Sequence, residues 1–236
     1  MLCTGAIAGI NHGMSRYCPV CESEVETFGP GGHNNRPGVK CPVCNSNART
    51  RLAWLFLQRD TDLFDGRSKS MLHVAPEKTL AERFRALPGI EYLSADLEPG
   101  RAMVEMDITD IPYPDDRFDV IYCSHVLEHV PDDRRAMREF ARVLKPTGWA
   151  IFLIPMKDTI TSEDPSVTDP AERERLFSHP EHVRRYGTDF ADRLEEAGFA
   201  VRWVRPHDVV GPEDARRIGV EERTSNRMFH CVLAPA

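Results

Sequence analysis

Lys69–Val130 reads KSMLHVAPEKTLAERFRALPGIEYLSADLEPGRAMVEMDITDIPYPDDRFDVIYCSHVLEHV. Short apolar runs alternate in it with turns and one helical segment. The runs are Met71–Val74, Ile90–Ala95, Ala102–Met106 and Phe118–Cys123. They are near-continuous in apolar residues, which suits parallel strands covered on both faces. Between the first two, Thr79–Leu87 sets Leu80, Phe84 and Leu87 on one stripe and suits a crossover helix. Glu77, Asp96 and Asp107 stand at or just past the ends of the first three runs. Ligands of such sheets bind outside the carboxyl ends of the strands, at the switch point. The acids gather there.

Two of them describe a ligand. A carboxylate past the second strand accepts from both ribose hydroxyls in dinucleotide folds, and Asp96 has that place. Asp107, past the third, is placed to accept from an adenine amino group. Either acid alone is equally well explained as a solvated turn residue. The two in order predict a nucleoside.

The stretch resembles a class I S-adenosylmethionine-dependent methyltransferase of the type 11 kind. The segments that carry the likeness are MDITDIPYPDDRFDVI at 106–121, HVLEHV at 125–130 and RVLKPTGW at 142–149. It extends roughly from Lys69 to the C-terminus and implies an α/β fold with a Rossmann-like seven-stranded sheet. It also implies S-adenosyl-L-methionine as cofactor, at Asp96 and Leu97, at Asp107 and Ile108, and at Cys123 and Ser124. The family's D-x-G-x-G-x-G loop corresponds here to His73, Ala75, Glu77 and Thr79. The acid has become histidine and the glycines, which let backbone approach a ligand closely, are gone. The resemblance then leaves His73, Ala75, Pro76 and Glu77 to face the methionine part, with the Glu77 carboxylate toward its ammonium. The chain also resembles bacterial proteins of this type that carry a similar L-H-x-A-P-E loop behind a zinc ribbon.

The rest of the chain is consistent with one such domain and a small module. Its 236 residues are 41% hydrophobic and 28% charged, enough for a core and unlike a disordered chain. The net charge of −7 argues against broad binding to nucleic acid or anionic membrane. No apolar run is long enough to span a bilayer, and the N-terminus lacks the basic and apolar regions of a secretory signal. Of seven cysteines, four lie in CxxC pairs, the usage of a reducing compartment, here read as cytoplasmic.

Those pairs are Cys18-Pro-Val-Cys21 and Cys41-Pro-Val-Cys44, with residues 22–40 between them. C-x2-C-x15–20-C-x2-C is the spacing of a four-thiolate zinc ribbon. The Gly- and Pro-rich segment between them cannot build a core, so the ion must close the module. His33 reads as a surface residue. Arg16, Arg36, Lys40, Arg49 and Arg51 face three glutamates and four thiolates, and only Tyr17 and Phe28 offer rings. That is a poor nucleic-acid platform, and a structural zinc clamp fits better. The division expected is a flexible leader 1–15, with Met14 a possible start, a ribbon 16–46, a linking helix and turn 47–68, and the transferase domain 69–236. The helix covers Asn45–Gln58, capped by Asn45 or Ser46, with Arg49 and Arg51 solvated or reaching an anionic substrate.

Asp132–Leu144 has the period of a helix, Trp149–Ile154, Phe199–Val204 and Arg227–Leu233 read as strands, and Thr188–Glu196 as a further helix. Residues 156–185 lack a period and form a lid-like insertion past a strand end. Residues 206–225 read as a polar, partly mobile segment. His125-Val-Leu-Glu-His129 matches the H-x-x-E-H zinc-peptidase string. It begins at a strand end with Pro131 close behind, so it is not read as a metal site. His125 is instead the expected acceptor-side base, with His129 one turn on, and His182 and Tyr186 of the lid next in line. The function expected is O- or N-methylation of a small-molecule acceptor. Three readings stand beside it. They are an RNA methyltransferase with the ribbon as reader, a ribbon protein with a lapsed cofactor site, and a nicotinamide oxidoreductase, which the absence of G-x-G-x-x-G disfavours.

Overall fold

The computed structural model describes residues 15–32, 35–221 and 227–235. Residues 1–14, with Met14, and His33 lie outside them. Two small hairpins open the described chain: β1 (Arg16–Cys18) with β2 (Ser23–Val25), and β3 (Gly29–Gly31) with β4 (Arg36–Lys40). Helix α1 (Ala48–Asp60) leads to β5 (Lys69–Val74), α2 (Lys78–Arg85), β6 (Ile90–Asp96), β7 (Val104–Glu105) and β8 (Phe118–Ser124). A single 3-10 turn, Leu127–His129, precedes α3 (Asp133–Val143) and β9 (Leu144–Ile154). Then come β10 (Met156–Asp158), β11 (Ser162–Glu163), α4 (Pro170–Phe177), β12 (Arg184–Gly187) and α5 (Phe190–Glu196). The chain closes with β13 (Phe199–Val204), α6 (Pro206–Val209), α7 (Pro212–Ile218) and β14 (Arg227–Leu233).

Seven strands make the central sheet in the order β13-β14-β9-β8-β5-β6-β7. β5 to β9 run parallel, and β14 inserts antiparallel between β9 and β13. Because both faces are covered, alternate residues of one strand feed two different cores. Met71, Val120, Tyr122 and Ile151 pack with Leu52, Phe56, Leu80 and Phe84 of α1 and α2. Leu72, Val74, Ile121 and Phe152 pack on the other side with Met137, Phe140, Phe190 and Leu194 of α3 and α5. The chain leaves β5 toward β6 and β7, then returns to start β8 on β5's other side. The loops after β5 and β8 therefore open against each other at the switch point.

Several boundaries differ from expectation. The third strand is only Val104–Glu105, since Ala102 and Met103 remain in the turn. α1 starts at Ala48 behind Asn47, whose side chain makes no capping bond. Asn45 lies further back, in the left-handed conformation (φ 62°) after the second cysteine pair. β9 begins already at Leu144, with its register against β8 shifting before Trp149. Gly148 permits this crowding: a Cβ there would meet the Asp119 carbonyl oxygen at 2.7 Å.

Two segments carry more order than their composition suggested. Residues 156–185 hold α4 and strands that, with β12, form a sheet ordered β10-β12-β11. They are fixed by buried charge. Arg184 and Arg193 hold Glu163 at 2.8 Å each, and Arg193 holds Asp133 at 2.9 Å. The Arg193 and Arg184 hydrogen bonds pull the Glu163 carboxyl down to about 2. Glu163 itself is 37% exposed, but Asp133, Arg184 and Arg193 are buried, and removing one partner of a buried pair such as Arg193–Asp133 typically costs about 3–5 kcal/mol. Of the segment 206–225, expected to be polar and partly mobile, residues 222–225 lie outside the described residues; before them α6 and α7 pack in the core, with Val209, Ala215 and Ile218 buried.

The N-terminal hairpins dock on that helical segment. Arg51 is fully buried and donates to the carbonyls of Ser46 (2.7 Å), Val39 (3.1 Å), Ile218 (2.7 Å) and Gly219 (3.2 Å). Its guanidinium lies 3.7 Å from the Phe28 ring centroid. It is therefore no solvated helix charge but a tie between ribbon, α1 and α7. Gly219 takes φ 67°, and a Cβ on it would meet Phe28 at 2.9 Å, so only glycine fits.

Candidate functional site

The loop after β5 is Ala75–Glu77. Ala75 donates its N–H to the Ala95 carbonyl at 2.8 Å and adopts φ 46°. This is the left-handed region, which disfavours any Cβ by about 1–2 kcal/mol. The chain keeps a glycine conformation where the related loop has a glycine, at a cost in stability. Ala75→Gly should therefore raise stability by roughly 0.5–1 kcal/mol, read as a higher denaturation midpoint with an unchanged m-value. A fall in the midpoint would mean that the methyl group contributes packing that outweighs the strain.

His73 lies beneath this loop and is fully buried. Its Nδ1 is 3.0 Å from the Tyr92 hydroxyl, and its Nε2 is 3.1 Å from Glu77 Oε2. With both ring nitrogens engaged, it acts on the site through Glu77 rather than by touching a ligand. Burial pushes the Glu77 carboxyl up, but the His73 hydrogen bond and the charges of His73 and Arg49 outweigh it and leave the pKa lowered. Glu77 is thus held as a carboxylate. Its Oε1 is buried without a hydrogen-bond partner.

Asp96 ends β6, and its Oδ1 accepts from Glu98 N at 2.9 Å. Asp107 Oδ1 accepts from Thr109 N and Oγ1, both at 2.8 Å. A carboxylate has about four acceptor positions, so each has capacity left after ordering its turn. Leu97 is 67% exposed at the rim, whereas Ile108 is buried in the core below. Pro76 lies at the edge of a groove of about 430 Å³ that continues along α2 past Lys78, Arg85 and Met103.

Cys123 and Ser124 end β8, and both are buried. Burial drives the Cys123 thiol well above its usual pKa, so its side chain belongs to the core. His125 follows with φ 58° and donates its N–H to the Leu153 carbonyl at 2.8 Å. Its Nδ1 lies 3.0 Å from Glu128 Oε1. Burial and then the Arg49 charge lower its pKa below 6.5, so it is neutral near pH 7. Glu128 is 1% exposed. Burial alone would raise its carboxyl, but His125 outweighs that and the pKa falls.

The structure separates the remaining candidates. His129 does not share a face with His125. The turn is 3-10, and the His129 ring meets His182 and His179 of the lid at centroid distances of 4.8 and 5.8 Å. His182 places Nδ1 3.1 Å from the Phe177 carbonyl, and burial lowers its pKa to about 4. Tyr186 is a correction to the expected reserve base. It is fully buried, donates to Asp133 at 2.6 Å, and burial drives its pKa well up. Its hydroxyl belongs to the charge cluster that orders the lid.

The sequence reading has Arg49 only as a helix charge that is solvated or reaches an anionic substrate, and it does not have Glu128 among the site residues. Arg49 is brought in by the ribbon. Thr79, at the start of α2, donates to the Cys44 carbonyl at 2.7 Å, which pins the second cysteine pair beside the Ala75–Glu77 loop. The Arg49 charge then acts on Glu77, Tyr122 and His125 alike. Nothing in its sequence spacing signals this. Glu128 did have a signal, the H-x-x-E-H string.

The four ribbon sulfurs meet in a second cluster. Cys18 Sγ is 3.6 Å from Cys44 Sγ, and Cys21 Sγ is 3.7 Å from Cys41 Sγ. All four are free thiols. Tetrahedral bonds of ~2.3 Å to zinc set sulfurs about 3.8 Å apart, so the spacing fits that ion. Glu22 (φ 57°) and Asn45 (φ 62°) make the same left-handed turn after each pair. Ser46 Oγ is 3.1 Å from Cys18 Sγ and 3.2 Å from Cys44 Sγ.

Comparison with known proteins places this geometry. Residues 68–152 match the methyltransferase-domain family. An uncharacterized methyltransferase, YcgJ of Bacillus subtilis, is 38% identical over 74 residues, which are 31% of this chain and 28% of that protein. The demethylmenaquinone methyltransferase of Halalkalibacterium halodurans is 30% identical over 130 residues, 55% of this chain and 44% of that one. The chain therefore spans less than half the length of these curated relatives. A solved S-adenosylmethionine-dependent methyltransferase from Mesorhizobium loti superposes with a TM-score of 0.55 at 15% identity, over 76% of this chain and 97% of its own. The solved YcgJ gives 0.52 at 15%, over 78% and 98%.

Proposed function

We propose that the class I methyltransferase domain carried by this chain is a working one, which methylates a small-molecule acceptor at oxygen or nitrogen. The observation that supports this most is where orphaned polar atoms lie. Among the described residues, buried side-chain atoms without a hydrogen-bond partner occur on eight, Asn47, Arg49, Glu77, Tyr122, Ser124, Glu128, Arg193 and Trp203, and four of these, Glu77, Tyr122, Ser124 and Glu128, lie in or just after β5 and β8. Such atoms each cost about 1–3 kcal/mol. Their concentration at the switch point suits a site whose partners arrive with a ligand.

In this reading Asp96 and Leu97 hold the ribose of S-adenosylmethionine, and Asp107 and Ile108 its adenine end. Glu77, braced by His73, takes the ammonium, and Arg49 faces the carboxylate. The backbone of Ala75, Pro76, Cys123 and Ser124 forms the floor. When bound, the cofactor supplies an electrophilic methyl group on a sulfonium. The chain's own task is to align the acceptor with that carbon and exclude water. His125, neutral at pH 7, takes the proton that an oxygen acceptor must lose. The lid-like segment 156–185 closes the acceptor side.

Cys18, Cys21, Cys41 and Cys44 hold a structural zinc ion, and the ribbon is a clamp that delivers Arg49. A nucleic-acid reader would need exposed rings, but Phe28 is buried under Arg51 and Arg217 lies over Tyr17. Together with the net charge, this favours a metabolite-sized acceptor. The relatives named for menaquinone precursors point the same way. Reduced thiolates suit the cytoplasm, and no helix among the described residues is long and apolar enough to cross a membrane.

The test is calorimetry with S-adenosylhomocysteine. Losing a charged acceptor costs about 1.5–3 kcal/mol, so Asp96→Ala should bind roughly ten- to a hundredfold more weakly while keeping its circular dichroism. Equal affinity in the folded variant would move the ribose elsewhere. No binding to the parent protein would leave the reading without a cofactor.

A further inference from the structure

We propose that Glu128, His129 and His182 form a second metal site, for a first-row divalent ion held between the turn after β8 and the lid. A carboxylate oxygen of Glu128 and one ring nitrogen of each histidine lie within 4.8 Å of one another. Adjacent ligands of such an ion, at bond lengths near 2.1 Å, sit roughly 3–3.5 Å apart. Small rotamer changes close the difference.

Three further observations single the cluster out. Glu128 is 1% exposed, and neither of its oxygens makes a well-formed hydrogen bond. Its close neighbour is His125, whose Nδ1 lies 3.0 Å from Oε1; Oε2 is buried with no hydrogen-bond partner, and buried charges are ordinarily paired or bound to a metal. Next, His182 Nδ1 lies 3.1 Å from the Phe177 carbonyl. A carbonyl only accepts, so Nδ1 carries the hydrogen and Nε2 keeps the lone pair. Metal-ligating histidines are oriented by such a bond. Finally, the two sides are already joined. Val183 N donates to the Glu128 carbonyl at 2.9 Å, and Arg184 donates to the carbonyls of Leu127 (3.0 Å) and Pro131 (2.8 Å). The ion needs no large motion to bind.

Two imidazoles and one carboxylate suit manganese, iron, cobalt or zinc, and three protein ligands leave positions open. His125 stands beside the cluster, its Nδ1 3.0 Å from Glu128 Oε1. There an ion would hold an acceptor oxygen and lower its pKa, dividing the work with the histidine. That role rests on the methyltransferase reading. The ion site itself does not.

The experiment starts from protein with one ribbon zinc, verified by elemental analysis. It is titrated with Zn²⁺ in a calorimeter, and separately with Co²⁺ followed by visible absorption. The parent protein should take up one further equivalent with a rise in Tm. His182→Ala and Glu128→Gln should each weaken that step by about a hundredfold or more, beyond the 10–100-fold typical of losing an outer-shell partner. The ribbon zinc should stay at one equivalent. His182 is only partly buried, so its variant serves if the Glu128 variant does not fold. No second equivalent at a large metal excess, or equal uptake by folded His182→Ala, would overturn the site. Titrating the same samples with S-adenosylhomocysteine separates the two proposals. Cofactor binding without a second ion removes only the site. Two ions without cofactor binding leave the site and remove the acceptor role.

Discussion

Cys41→Ser should cost the protein its ribbon zinc and the fold of the N-terminal module. Zinc contributes an apparent ~10–16 kcal/mol to the folding of such peptides near neutral pH. Little else in residues 16–46 can replace it, since the hairpin strands β1 to β4 are short and few apolar side chains of the module, such as Val20, Phe28 and Val39, are buried. Losing one thiolate also leaves the others buried without their counter-ion. The damage should reach further. Cys44 accepts from Thr79 at the head of α2, and Arg51 binds both the Ser46 carbonyl and α7. Elemental analysis should find well under one equivalent of zinc in the variant. Hydrogen exchange should show lost protection over residues 16–46, with weaker S-adenosylhomocysteine binding as Arg49 loses its anchor. A parent protein prepared reduced and untagged that carries no zinc would end this account.

His125→Ala should lower turnover by about a hundredfold or more, the range for losing a general base, with little change in cofactor affinity. His125 is well suited to the role. It follows β8 at the switch point, its left-handed backbone is fixed by the bond to Leu153, and burial keeps the ring neutral. The expected signature is a fall in kcat with the S-adenosylhomocysteine Kd retained. A variant that turns over normally with its true acceptor would remove the histidine from the chemistry. Tyr186 would not inherit it, because its hydroxyl is committed to Asp133. The acceptor would then be one, such as a neutral amine, that needs no base in the transition state.

Much of this was legible in the chain because it depends on local pattern. The apolar runs around 71–74, 90–95 and 118–123 are strands because a sheet covered on both faces needs apolar residues on both. The cysteine spacing brings four sulfurs together because two tight turns suffice. Asp96 ends β6 and Asp107 stands two residues past β7 because the near-continuous apolar runs stop there. What the sequence hid depends on long-range packing. Arg49 and Arg51 look alike in their helix, yet Arg51 is a buried tie to a helix more than 160 residues on, whereas the charge of Arg49 acts on Glu77 in the loop after β5. Only the docking of the ribbon separates them. The polar stretch after 206 reads as partly mobile because its apolar residues have no partner within reach of a local pattern, and its packing surface is α1 and the ribbon. Glu128 and His129 lay in a string that a regular helix would have made meaningful. A 3-10 turn instead aims them at His182, and tertiary structure alone could supply that third ligand, because it comes from a segment held to the turn by Arg184.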